Sequence, residues 1–529
     1  MSTTSPASAT PPSGELEAAA GGFEATPGGL ASAAGGIDVA SAVGLPTAPE
    51  MALPGTPDIA APLPSGIRVP SGVSVPSRVP VTPATQRKAA RRSREQVRAL
   101  AAVGGVVGSG ALIAIAAAHT HALLPETIRF IPASFAGVFG GLFLNLHVGG
   151  AIAALVLMFI SYAAVVALSG QLSARVVLTA IVAVHLLILV GPPLASTDVF
   201  SYQAYARMGA TYGINPYTHA PAAINLDPVY SYIGAKWSLL TPSAYGPVFT
   251  VATYLLAPLT IATSVFAYKG IAALASLALV GLVWRCARLR GIDPVKAVAL
   301  VGLNPLLVIY GVGGGHNDLL MLLAMMGGVY AVLASREWVG GGLSLLAIGI
   351  KLTAGLVLPF ALADRWASGT DARLRRGRVR LALGAGIGLA ALAALSFGVF
   401  GTGSFHMLGA IVRSQREGGW LGIPGFITSK LGMPTVGHIA GFVLAGAFAA
   451  ILCWLLRRVW RGQMDWIAGA GWAMLAMLVA SSSLLPWYVA WLLPLAALGR
   501  DRRLVTTAIV FAGVIQGITL LGYIPHGFL

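Results

Sequence analysis

One stretch of this chain places a carboxylate and two phenols at a spacing that a helix turns into a single face. In STDVFSYQAYARMGATYGINPYTHAP, residues 196–221, Asp198, Tyr202 and Tyr205 stand at i, i+4 and i+7. A helix capped by Ser196 or Thr197 would align all three. One carboxylate with tyrosines beside it suits a site that binds a polyol and removes a proton from it. The same residues also suit a plainer arrangement, in which Asp198 caps the helix and the tyrosines form an interfacial aromatic belt. Asn215-Pro216-Tyr217 and Tyr245-Gly246-Pro247 read as turns.

Three further groups carry candidate chemistry. Gly311-Val312-Gly313-Gly314-Gly315-His316-Asn317-Asp318 crowds three polar side chains at a helix start, behind glycines that let the backbone approach a ligand. Capping explains one of the three, and His316, Asn317 and Asp318 together, between two strongly apolar stretches, point to a site. Lys351 stands alone inside an apolar run. An unpaired ammonium at mid-bilayer costs about 2.5–3.5 kcal/mol, so it either snorkels or meets an anion, for which a phosphate is the natural candidate. The glycine-rich stretch 402–432 carries His406, Arg413, Arg416, Glu417 and Trp420, and its arginines suit an anionic ligand.

The elements that position these residues follow from composition. Of 529 residues, 56% are hydrophobic and only 10% charged, and the mean hydropathy is +0.80. A soluble domain carries about 25% charged residues, so this chain uses lipid as its solvent. The net charge of +16 lies in short basic clusters at the ends of apolar stretches. That distribution orients spans and argues against a nucleic-acid groove. Apolar stretches run over 99–119, 147–169, 175–194, 247–284, 297–310, 319–335, 339–363, 381–401, 433–456, 464–482, 484–498 and 504–525.

Basic loops at 285–296, 365–380, 457–461 and 500–503 are expected on the cytoplasmic side. The loops 120–146, 195–246, 311–318 and 402–432 then face outward, which puts all the candidate loops in one compartment. Parity requires 247–284 to make one net crossing, with its first part, about 247–262, lying along the outer interface. It also requires 339–363 to go up and return as two half-length helices meeting near Lys351, around a wet cavity. The expected fold is all-α: a polytopic transmembrane bundle of about 11 crossings, or 13 with the half-helices, and an outward C-terminus.

Residues 1–86 are rich in Ala, Pro, Gly, Ser and Thr and read as a disordered cytoplasmic tail ahead of a membrane domain at 87–529. The cluster Arg87, Lys88, Arg91, Arg92, Arg94 and Arg98 anchors that end in the cytoplasm. The first apolar run starts near Val97, too late for a cleaved signal peptide, so the first span is expected to direct insertion. Cys286 and Cys453, the two cysteines, form neither a disulfide framework nor a metal set.

Four segments, TDVFSYQAYARMGATYGINPY, SAYGPVF, GGGHNDLLML and the lysine-interrupted GIKLTAGLVLP, resemble a known family. They look like the polyprenol-phosphate-mannose-dependent α-(1→6)-mannosyltransferases of actinobacteria, in the C superfamily of integral-membrane glycosyltransferases. The resemblance covers the chain from about residue 97 onward and implies a glycosyltransferase-C-like bundle in the plasma membrane. It implies a polyprenyl phosphomannose donor, a lipid-anchored mannan acceptor and a site on the extracytoplasmic side. Asp198 matches the family's acidic residue in the first long outer loop, and His316 and Asp318 fall on its second polar motif.

An inverting transfer needs a base and positive charge for the departing phosphate. Asp198 is the first choice for base and His316 its rival, while Lys351, Arg413 and Arg416 are candidates for the phosphate. Tyr202, Tyr205, Asn317, Asp318 and Trp420 complete the expected substrate-binding set. No Asp-x-Asp pair is present, and neither metal nor cofactor is expected. The competing readings are an arabinosyl or glucosyl transferase, and a transporter or flippase. A transporter should carry internal repeats and midplane ionisable groups, whereas here only Lys351 lies mid-span.

Overall fold

The computed structural model describes residues 83–128, 131–234, 242–367, 372–417, 419 and 421–523. Nearly all of the expected tail, and Trp420, lie outside the described residues. Among these residues the chain is helical, with no strand. Six helices are long and apolar enough to cross a membrane, or seven if one bent pair counts as a span. Shorter apolar helices of 10–17 residues lie in the remaining apolar stretches of the described residues.

The first half contributes α1 (Pro83–Ala116), α2 (His147–Ala167), α3 (Ala174–Val190), α4 (Asp198–Ala210), α5 (Pro247–Thr253) and α6 (Ile261–Leu289). The basic cluster forms the start of α1 itself, and the apolar run continues the same helix. The expected discontinuity in 247–284 is a break at 257–260 between α5, extended by one 3₁₀ turn to Leu256, and the long α6. Gln203 on α4 fills this break, donating to the carbonyls of Leu256, Ala257 and Leu259 at 3.1, 3.2 and 3.3 Å. Backbone freed by a broken helix is thereby satisfied by a buried amide rather than by lipid.

Next come α7 (Pro294–Gly302), α8 (Asp318–Leu333), α9 (Glu337–Ile350), α10 (Leu358–Ala367) and α11 (Ala372–Phe400). The stretch 297–310, read from sequence as one span, is bent by 48° between α7 and a π-helical turn at Leu306–Val312. Pro305 is the cause: it lacks an N–H and its ring excludes the carbonyl one turn back. Asn304 Oδ1 repairs the break by accepting from the N–H groups of Leu306 and Leu307 at 3.0 and 3.3 Å.

The reversal near Lys351 is as the parity argument requires. Lys351 leaves the helix in extended conformation, at φ −154° and ψ 125°. Along α9 and α11, Gly341 faces Leu381 and Ala385, Leu345 faces Gly388, and Gly349 faces Leu392. Numbers rise together on both, so the two helices are parallel, and the intervening 3₁₀ turn and α10 must carry the chain back. Small residues at this seam let the backbones approach closely. The amide of Gly246 closes the break, donating to the carbonyl of Ile350 at 3.0 Å.

The last part holds α12 (His406–Glu417), α13 (Ile423–Ser429), α14 (Pro434–Trp460), α15 (Trp466–Ala480), α16 (Leu493–Leu498) and α17 (Arg502–Leu521). Between α15 and α16 the chain runs extended through Ser481 and Leu485 and then as a 3₁₀ helix over Pro486–Trp491. Helix α14 presents Phe442 and Val443 outward, as a lipid-facing helix must.

Candidate active site

The N-terminus of α4, the glycine turn before α8, the break at Lys351 and the 3₁₀ helix Pro486–Trp491 meet at one place. Ser196 Oγ takes the N–H of Asp198 at 3.2 Å, and Thr197, at the cap, contributes no side-chain hydrogen bond. The Asp198 carboxylate is therefore not spent on capping. Its Oδ2 lies 3.3 Å from His316 Nδ1, an ion-pair distance without the alignment of a hydrogen bond. His316 reaches it because Gly315 turns the chain with φ +64°. A side chain at 315 would be strained there and would strike Val199.

His316 is fully buried and stacks on Trp487, with ring centroids 3.7 Å apart and planes at 19°. Two residues on, Asp318 Oδ1 accepts from Lys351 Nζ and from Trp491 Nε1, both at 2.7 Å. The ammonium also lies 4.6 Å from the Tyr488 ring centroid and 5.1 Å from that of Trp491, distances typical of cation–π attraction. Lys351 thus neither snorkels nor stays unpaired. Tyr202 OH donates to Asn317 Oδ1 and accepts from the Asn317 backbone N–H, both at 3.4 Å, and packs edge-on against Tyr245, Phe249 and Tyr268. Tyr205 is buried beside Tyr245 in the same aromatic layer.

Exposure separates the roles open to these groups. The Asp198 side chain is 19% exposed and that of Lys351 16%, whereas those of His316 and Asp318 are 0% and 2% exposed. Burial raises the Asp198 pKa, but the neighbouring His316, Lys351 and the Tyr245 hydroxyl outweigh it and hold the carboxyl below its usual range. Several buried polar atoms here have no partner: His316 Nε2, Asn317 Nδ2, Asp318 Oδ2, Thr353 Oγ1 and Trp487 Nε1. Each unsatisfied group costs about 1–3 kcal/mol, a cost that native structures concentrate at functional sites. Among the described residues, no three His, Cys, Asp or Glu side chains converge as a metal-ligand set.

Arg413 and Arg416 lie elsewhere. Both are exposed on α12, and Arg416 lines a groove of about 660 Å³ between α12, α13, α14 and α15, together with Gln415, His438, Phe442 and Ser482. Gln415 Oε1 ties this groove to the site's aromatic segment, accepting from the N–H groups of Ser482 and Ser483 at 3.0 and 3.3 Å.

Sequence reasoning missed Trp487, Tyr488 and Trp491, whose signal was an aromatic set after Pro486 in an otherwise aliphatic stretch. It also missed Lys269, a second lone lysine inside an apolar run. Fully buried, Lys269 donates to the carbonyl of Pro192 at 2.7 Å and to that of Gly191, binding α6 to the end of α3 beside the Asp198 loop. Arg207, on α4, fixes the loop that follows by an ion pair with Asp227 at 2.8 Å.

Comparisons with known proteins give the family. A family model described as "Alpha-(1->6)-mannopyranosyltransferase, N-terminal domain" matches residues 102–367, and one described as "MptB C-terminal domain" matches 421–526. Alpha-(1->6)-mannopyranosyltransferase A of Mycobacterium tuberculosis is 30% identical over 60% of this chain and 64% of its own length. A probable alpha-(1->6)-mannopyranosyltransferase of Mycolicibacterium smegmatis is 32% identical over 59% of this chain and 63% of its own. The chain therefore spans under two thirds of these relatives. No solved structure matches it. Because the first family model alone covers half of the sequence, this chain belongs to the alpha-(1->6)-mannopyranosyltransferase family.

Proposed function

We propose that the chain transfers mannose from a polyprenyl phosphomannose to a 6-hydroxyl of a lipid-anchored mannan, with inversion at the sugar carbon. The observation that carries this reading is the pairing of Asp198 with His316 3.3 Å away, beside the Asp318–Lys351 pair at 2.7 Å. A base and a cation held side by side are what hydroxyl attack on a glycosyl phosphate requires.

In this reaction the acceptor oxygen attacks the anomeric carbon as the carbon–oxygen bond to phosphate breaks. The electron pair leaves with the phosphate, and the hydroxyl proton passes to Asp198. Asp198 takes the proton because it is the partly exposed member of its pair, whereas both nitrogens of His316 are buried. His316, held by Trp487, acts by keeping that carboxylate ionised and placed. Lys351 gives one N–H to Asp318 and has two more for a phosphate oxygen. Asp318 holds Lys351, and Asn317 holds Tyr202, at the wall of the site. The groove at Arg416, walled by lipid-facing α14, suits the donor's isoprenoid chain.

The protein acts in the plasma membrane, with its N-terminus cytoplasmic and this site on the outer side, because the basic loops lie at the other ends of the helices. The test is incubation of the purified full chain with labelled polyprenyl phosphomannose, polyprenyl phosphoarabinose or polyprenyl phosphoglucose and a mannan acceptor, followed by linkage analysis. Label in 6-linked mannose from the first donor alone upholds the proposal. Transfer from either other donor at an equal rate assigns a sister activity, and carriage of the lipid-linked sugar across vesicles without transfer assigns transport.

A further inference from the structure

A second polar cavity lies at the basic end of the bundle, at the far end of the 294–312 segment from His316. It measures about 500 Å³ and is lined by Arg290, Asp293, Lys296, Arg500, Asp501 and Arg502, with apolar walls from α7 and α16. The N-termini of α7 and α17 both begin here, each bringing the positive end of its dipole to the cavity, with their first-turn N–H groups capped by Asp293 and Asp501. Four cations face two carboxylates, and those carboxylates are engaged. Asp293 Oδ1 accepts from the N–H of Val295 at 2.9 Å. Asp501 Oδ1 accepts from the N–H of Arg503 and its Oδ2 from Trp472 Nε1, both at 2.9 Å.

Arg290 shows that this is more than a solvated basic loop. It is 8% exposed, and one terminal nitrogen pairs with Asp465 at 2.6 Å. Its Nε, however, is buried with no partner. A residue that only orients a span keeps its guanidinium in water. Arg500 is held against it in left-handed conformation, φ +50°, donating to the Arg290 carbonyl. Basic pockets between transmembrane helices on the cytoplasmic side take phosphate-bearing headgroups.

We propose that this cavity binds a phosphate group, carried by an anionic lipid headgroup or dissolved in the cytosol. The proposal is independent of the transfer reaction. Arg290→Ala would also break the pair with Asp465, so the test uses the exposed Lys296 and Arg502. The purified full chain is compared with K296A/R502A and with the charge-matched control R375A/R376A, altered at the start of α11. Binding of phosphatidylglycerol against phosphatidylcholine is read by native mass spectrometry, and inorganic phosphate against chloride by thermal shift. Phosphatidylglycerol binding weakened roughly tenfold in K296A/R502A and unchanged in the control upholds a headgroup site. A phosphate-specific thermal shift lost only in K296A/R502A upholds a site for dissolved phosphate. If both variants match the wild type with both probes, the proposal is overturned.

Discussion

Replacing Lys351 with Met removes the ammonium 2.7 Å from Asp318 Oδ1 and leaves a carboxylate whose side chain is 2% exposed. Breaking one partner of a buried pair costs about 3–5 kcal/mol. Trp491 donates to the same oxygen at 2.7 Å before and after the change, so it offsets none of this. The expected loss is therefore about 3–5 kcal/mol, within the reach of thermal unfolding in detergent. In D318N/K351M the stranded charge is gone and Asn still accepts from Trp491, so much of the loss is recovered. The expected order of melting temperatures is wild type, then D318N/K351M, then K351M, with mannosyl transfer lost in both variants. If K351M melts at or above the double variant, the pair does not act as one buried unit and the reasoning fails.

Three further outcomes are expected. His316→Ala removes the strongest of the influences that lower the Asp198 pKa, while burial, the largest contribution, still raises it. Because the base acts ionised, kcat/KM falls as pH drops through that pKa, so the acid limb of the H316A profile lies at higher pH than the wild type's; a limb that stays or moves down contradicts the assigned coupling. Gly384 packs against the backbone of Trp338 on α9, where a Cβ would overlap the carbonyl. Overpacking of this kind costs about 1–3 kcal/mol, so Gly384→Ala should melt below wild type, and an unchanged melting temperature would argue against the parallel seam. In a Cys453→Ser background, Ser231→Cys should react with an impermeant thiol reagent on intact cells and Arg461→Cys only after permeabilisation; the reverse pattern would invert the orientation.

The fold was legible where charge and hydropathy leave little choice. Parity of the basic loops demanded a reversal near Lys351, and the chain turns there. The bend at 297–310 was hidden because hydropathy averages over Asn304-Pro305, although the proline itself was a sufficient signal. Of the site, Asp198, Tyr202, His316, Asn317, Asp318 and Lys351 were findable as polar groups out of place in apolar surroundings, and they converge. Arg413 and Arg416 were read from the same signal, but a charge in a long loop does not reveal which surface the loop covers. The aromatic set of Trp487 and Trp491 is a weak signal for the opposite reason: aromatic residues in a membrane segment look like ordinary packing until the structure sets them against His316 and Asp318.

The most direct measurement is the steady-state rate of mannosyl transfer from polyprenyl phosphomannose by purified wild-type protein and by D198N. An amide cannot take the acceptor proton, and general-base catalysis contributes typically 10²–10⁴-fold. The account predicts a kcat lowered by at least about a hundredfold, with KM for the donor changed only a few-fold because Asp198 binds the proton and not the lipid. Transfer by D198N at the wild-type rate would contradict it.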